Sequence, residues 1–154
     1  MLDALRKLFS AKESSSAGAG AQDDTDLPLA AAALLLEVGY ADFEIREKEL
    51  DAISTALRNR FGFTETDVRT LMEDARAAHH SGHSMYPFLT RVNKAFTPER
   101  KVHLITDMWR VAYADRRLDK YEEHRIRKIA NLLHVPHRDF IRAKLAVREA
   151  LGID

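Results

Sequence analysis

The sequence predicts an all-α domain of about seven helices, built around an internally duplicated helix-loop-helix unit. Three observations carry this. Apolar residues recur at helical spacing almost everywhere after Pro28. Glycines, prolines and capping residues fall where those periods stop. No stretch alternates apolar and polar residues between hairpin turns, so a sheet is not expected. The 154 residues, 45% apolar and 31% charged, suit one globular domain with its own core.

The elements can be justified in order. Leu2, Leu5, Leu8 and Phe9 share one side of a short segment with Arg6 and Lys7 beside them. So short a helix needs a surface to fold upon. Ser14 to Gln22 and the acids Asp23, Asp24 and Asp26 are small or polar, a composition that favours a flexible tether over residues 10–26. Residues 1–26 are therefore read as an amphipathic segment on a tether, and 27–154 as the helical domain. The segment 1–9 is either a frayed tail or a weak docking helix for a membrane surface or a partner. Pro28 suits the first position of a helix that runs to Tyr40. A second helix spans 46–61, with Leu50, Ile53, Ala56 and Leu57 inward and Gly62 as its stop. Thr64 caps a third, which turns Val68, Leu71 and Met72 inward and closes at Ser81 and Gly82. A shorter helix covers 86–96. Thr97 and Pro98 open the next, through Tyr113, and helices over 119–133 and 136–151 complete the set.

Composition excludes several classes of function. The absence of cysteine removes disulfides, thiolate metal sites and cysteine nucleophiles, and permits a reducing cytoplasm. No apolar run approaches the roughly 20 residues of a spanning helix, and no secretory leader is expected at the N-terminus. The 24 basic and 24 acidic residues cancel, yet 23–77 carries a net −7 and 91–154 a net +6. That polarity can hold the halves together, pair two copies or face a phosphate-rich partner, and the oligomeric state stays open.

Sliding the chain by 73 residues aligns Val38-Gly-Tyr40-Ala41-Asp42 with Val111-Ala-Tyr113-Ala114-Asp115, then Glu49 with Glu122 and Ile53 with Ile126. Six identities in sixteen positions exceed the one or so expected from typical residue frequencies. A duplicated hairpin is the simplest explanation. If the two hairpins pack about a pseudo-twofold axis, Asp42, Glu49, Asp115 and Glu122 face one another. Four converging carboxylates repel unless neutralised by a hard divalent cation or by arginines. Capping competes with that reading: Asp119-Lys-Tyr-Glu122 has the capping-box pattern, and Asp42, Glu44 and Glu47 suit a helix N-terminus. Arg46 cannot cap, however, and Glu49 is still there. The loop lacks the glycine at position six and the glutamate at position twelve of a calcium-binding EF-hand.

The repeated Tyr-Ala-Asp, the following Ile45 or Leu118, the Glu seven residues after each Asp and the closing Val135-Pro-His-Arg-Asp-Phe140 resemble the TerB-like family named for tellurite resistance. The likeness is closest to its small uncharacterised bacterial branch, whose members also begin with a short Leu-rich segment. It covers about residues 27–151. The resemblance implies an all-helical duplicated fold, a cytoplasmic or inner-membrane-associated setting and a divalent-metal site built from Asp42, Glu49, Asp115 and Glu122. The family more often has glycine directly after the motif Asp, where this chain has Phe43 and Arg116. That change stiffens the turn and sets Arg116 and Arg117 beside the second copy's acids.

Other chemistry is weaker. His79, His80 and His83 are the densest nitrogen cluster, but Gly82 breaks the helix that would align them, so a solvated loop is expected. His134 and His137 lie in a turn and need no role beyond it. No Gly-x-Ser-x-Gly elbow, phosphate-binding glycine loop or Glu-x-x-His pair is present. Arg116, Arg117, Arg125, Arg127 and Lys128 are interrupted by Asp119, Glu122 and Glu123, a pattern that reads as a solvated helix face and not as a nucleic-acid surface. Trp109 is expected in the core between the repeats. The functional expectation is a non-enzymatic cytoplasmic module that binds a divalent cation and acts in a stress response by protein association or by peripheral membrane contact through residues 1–9. A plain helical scaffold without metal and a metal-dependent hydrolase are the alternatives.

Overall fold

A computed structural model describes residues 21–153, with side chains from Leu27 onward. Residues 1–9, read as an amphipathic segment, and 10–20 of the expected tether lie outside the described residues. Seven helices and no strand are found among the described residues: α1 Ala21–Gly39, α2 Glu47–Phe61, α3 Glu65–His80, α4 Tyr86–Ala95, α5 Pro98–Ala112, α6 Lys120–Leu132 and α7 His137–Ala150. No helix among them is long and apolar enough to cross a membrane.

Six of the seven helices start and stop within a residue or so of the positions their caps predict. Thr64 and Thr97 accept the amides of Asp67 and Arg100 at 3.2 Å, and Gly62 closes α2 in the left-handed conformation. The exception is α1, which begins at Ala21 and continues through Pro28 instead of starting there. Proline removes one amide donor, but its ring holds φ near the helical value, so the preceding turns can continue.

The core is organised by α1. Leu27, Ala30 to Leu36 and Val38 are buried on all sides of the helix, the pattern of a helix enclosed by others. It packs against α2, α3, α4, α5 and α6. Trp109 of α5 is fully buried against Phe140 of α7, and its Nε1 donates to the Phe140 carbonyl at 3.2 Å. It is thus a core residue as expected, although its neighbour is the C-terminal helix.

Ion pairs of both senses join the two halves. Arg125 donates to Glu37 at 2.6 Å. In two others the sign is reversed: Arg60 grips the buried Asp107 with two hydrogen bonds, at 2.8 and 3.1 Å, and Arg46 pairs with Asp115. The net charges of the halves do not by themselves dictate which residues pair.

The duplication is exact in backbone terms at the turns. Tyr40 and Tyr113 amides bond back to Leu36 and Trp109, Ala41 and Ala114 to Val38 and Val111, Phe43 and Arg116 to Tyr40 and Tyr113. Phe43 has φ 71° and Arg116 has φ 67°. Both occupy the left-handed region that glycine tolerates best, so the turn keeps its shape although the glycine is absent. The two hairpins, α1–α2 and α5–α6, also pack reciprocally: α2 lies on α5, and α1 on α6.

Phe43 is 91% exposed, so its side chain contributes little packing to set against the strain. Phe43→Gly is expected to leave stability unchanged or raise it by up to about 1 kcal/mol, because relief of left-handed strain outweighs the extra chain entropy of glycine. Urea denaturation checks this. A loss larger than about 1 kcal/mol would show that Phe43 packs in solution.

Candidate metal centre

Each copy of the hairpin builds its loop with the same devices. The motif aspartate follows the first helix and turns the chain by accepting an amide two residues on, Asp42 from Glu44 at 3.3 Å and Asp115 from Arg117 at 3.2 Å. At the far end of the loop the N-cap positions differ. Asp119 accepts the Tyr121 amide at 2.7 Å and caps α6. Arg46 has no acceptor to offer, and Glu49 reaches back from the first turn of α2 to accept the Arg46 amide at 3.0 Å. The capping box expected over 119–122 is therefore half made in each copy: the cap is formed at Asp119, the returning glutamate at Glu49.

Reciprocal hairpin packing brings the second-helix glutamates together. Glu49 and Glu122 are each 4% exposed, and Oε2 of each is buried where no N–H or hydroxyl donor reaches it. What joins them is a carboxyl-to-carboxyl hydrogen bond, which exists only while one of the two keeps its proton. Glu122 is that one. Burial, then the hydrogen bond to Glu49, then the charges of Glu49, Asp42 and Asp119 push its pKa from 4.5 up to about 10.

On one side of this pair Asp42, Asp119 and Glu122 each place a carboxylate oxygen within 4.8 Å of the others. Close by, Arg46 donates to Asp115. The guanidinium's pKa is raised by that hydrogen bond and by the charge of Asp115, with smaller contributions from Glu49 and Asp42, so it is a permanent cation.

The four acids expected to converge are divided accordingly. Glu49 and Glu122 meet at the centre, Asp42 joins Glu122, and Asp115 is paired with Arg46. Sequence reasoning read Asp119 only as a cap, and here it is both a cap and a member of the acid group. It also expected Arg116 and Arg117 to crowd Asp115. Arg116 instead donates to the Leu151 carbonyl at 2.8 Å, and Arg46 from the other loop takes the aspartate. The signal that could have found this is positions 46 and 119, which the repeat makes equivalent and the chain fills with opposite charges.

The remaining candidates have structural occupations. His79 lies on α3, stacked on Tyr40 at 4.2 Å with Nδ1 3.3 Å from Glu37, which corrects its placement in a solvated loop. His134 is the left-handed residue that closes α6. Arg125 and Arg127 are spent on Glu37 and Glu123.

The carboxylate group fits a hard divalent cation on its own chemistry: three oxygen ligands within 4.8 Å of one another, with Asp42 and Asp119 brought from different hairpins to the buried Glu122 carboxyl. Comparison with known proteins agrees with the fold. The profile of the family described as Tellurite resistance protein TerB matches residues 28–145. A crystal structure of a protein of unknown function from Porphyromonas gingivalis W83 superposes with a TM-score of 0.59 at 17% identity, covering 80% of this chain and 94% of that one. No curated protein matches.

Glu122 sets a pH dependence whose sign is fixed. Between 4.5 and about 10 the folded protein holds a proton that the unfolded chain has released, so this group stabilises fully below the lower value and progressively less as pH rises through the window. Glu122→Gln keeps a hydrogen-bonding group and cannot ionise. Its stability relative to the parent should improve between about pH 5 and about pH 9 in cation-free urea titrations. Parallel pH profiles would show that Glu122 is ionised in the folded state.

Proposed function

The chain belongs to the TerB family of tellurite resistance proteins, and on that premise we propose that it is a non-enzymatic helical module whose Asp42, Asp119 and Glu122 hold a divalent cation. The observation that carries this is the buried Glu122 carboxyl grouped with the Asp42 and Asp119 carboxylates across the hairpin interface. When bound, the cation supplies charge neutralisation and a cross-link. Asp42 comes from the first hairpin, Asp119 and Glu122 from the second, so their shared ligation ties one loop to the other. The surface beside them, including the exposed Phe43, then changes in charge and rigidity, which is how the module signals to a partner.

A non-catalytic role is supported by the use of the acids. Asp42, Asp119 and Glu122 act as ligands, while Glu49 is committed to the Arg46 amide and to Glu122. No carboxylate of the group is left as a general base for hydrolysis. The setting we propose is cytoplasmic, in a stress response of the kind the family is named for, with a protein partner and peripheral inner-membrane contact through residues 1–9. A plain scaffold without metal is the second reading, favoured by the cap that Asp119 makes on α6.

One pair of substitutions separates these readings, because asparagine keeps the turn and cap acceptors while removing the charge. In calorimetric titration with calcium, magnesium, manganese and zinc, the parent should bind at least one of the four. Asp42→Asn with Asp119→Asn should weaken that binding by at least about tenfold, or 1.4 kcal/mol, and should leave cation-free stability equal or higher. A flat parent titration with all four ions would reject the metal reading and leave the scaffold. For the membrane contact, full-length protein should float with anionic liposomes and a chain beginning at Leu27 should not. Equal flotation would remove that role.

A further inference from the structure

The two halves of the carboxylate cluster are equivalent positions occupied by different charges. An offset of 73 residues carries Asp42, Asp119 and Glu122 onto Asp115, Arg46 and Glu49. The contacts obey the same mapping. Asp42 of the first loop is grouped with Asp119 of the second, and Asp115 of the second is bonded to Arg46 of the first. Position i of one loop meets position j of the other and the reverse, which is the signature of a twofold arrangement. The repeat therefore assigns two equivalent half-sites to the Glu49–Glu122 pair, Asp42, Asp119 and Glu122 in one and Asp115, Arg46 and Glu49 in the other, and each glutamate has one oxygen that no N–H or hydroxyl donor reaches.

Resting on the metal reading above, we propose that Arg46 is a tethered internal cation that occupies the second half-site, and that the charge at positions 46 and 119 decides how many metal ions the protein holds and in which half. The argument is one of charge. The half-site of Asp42, Asp119 and Glu122 has acids at all three positions and no arginine among them, whereas Asp115 and Glu49 already have a guanidinium bonded to the one and facing the other. Arg46 is a fixed positive charge already bonded to Asp115, so a metal ion entering that half would have to bind against a like charge. The remaining half, with aspartate at the same position, is the one left to bind. The protein thus takes one ion although its fold provides for two.

Native mass spectrometry and calorimetry with calcium and manganese test this on the full chain. The parent should bind one ion and Arg46→Asp two, while Arg46→Ser, which adds a cap but no carboxylate, should stay at one. The exchanged variant Arg46→Asp with Asp119→Arg keeps the parent's net charge and guards against loss of folding. It should bind one ion in the opposite half, so that Asp115→Asn abolishes its binding and Asp42→Asn does not, the inverse of the parent. One ion on Arg46→Asp, or continued dependence of the exchanged variant on Asp42, would overturn the assignment of Arg46. No ion on the parent would instead overturn the metal reading beneath it.

Discussion

Two glutamate side chains packed against each other in a dry interface are the constraint around which this molecule is arranged. Glu49 and Glu122 are nearly inaccessible to solvent, and a pair of carboxylates cannot both be ionised at contact in a low dielectric. The protein meets this in three ways at once. Glu122 keeps a proton, the Arg46 amide donates to Glu49, and a guanidinium lies to one side. An arrangement of this kind is costly for stability alone, since apolar side chains of the same volume would pack there without penalty. Its retention in an otherwise apolar, α1-centred core is the physical reason to regard it as a site.

The interface is assembled from a repeated part, and the repeat explains both its symmetry and its imbalance. Identical backbone hydrogen bonds and matching left-handed residues show that the loop geometry is a property of the hairpin, independent of which side chain occupies the strained position. Phe43 and Arg116 differ in every chemical respect and still adopt φ within a few degrees of each other. The tight turn and the packing of the following helix over-determine that conformation. Against so regular a frame, the single position where arginine stands opposite aspartate becomes the chemically informative difference between the halves.

Elsewhere, charge is used to lock the assembly. Asp107, buried, is held by Arg60 from the other half and by Arg110 of its own helix. Glu37, near the end of α1, accepts Arg125 and lies beside His79, so the central helix is tied to α3 and α6 at the same level as the loops. These partly buried pairs are charge-assisted and geometrically specific, and they align the hairpins more than they add net stability.

Much of the fold was legible because its causes are local. Thr64, Gly62, Thr97 and Pro98 act on their own turn of backbone, and a 73-residue repeat is visible as spacing alone. Pro28 suggests a helix start, yet its φ permits a helix on both sides of it, and the helix runs from Ala21. The candidate site was legible to the level of residue type: the motif pointed to Asp42, Glu49, Asp115 and Glu122, and three of those four lie in or against the acid group. What spacing could not convey was partnership. Whether Asp115 meets an arginine or another acid, and whether Asp119 only caps α6 or also joins an acid group, depends on which side chain of one hairpin lands opposite which of the other. That is settled by the packing of α1 on α6 and α2 on α5, between residues some seventy positions apart, where chain-local rules carry no information.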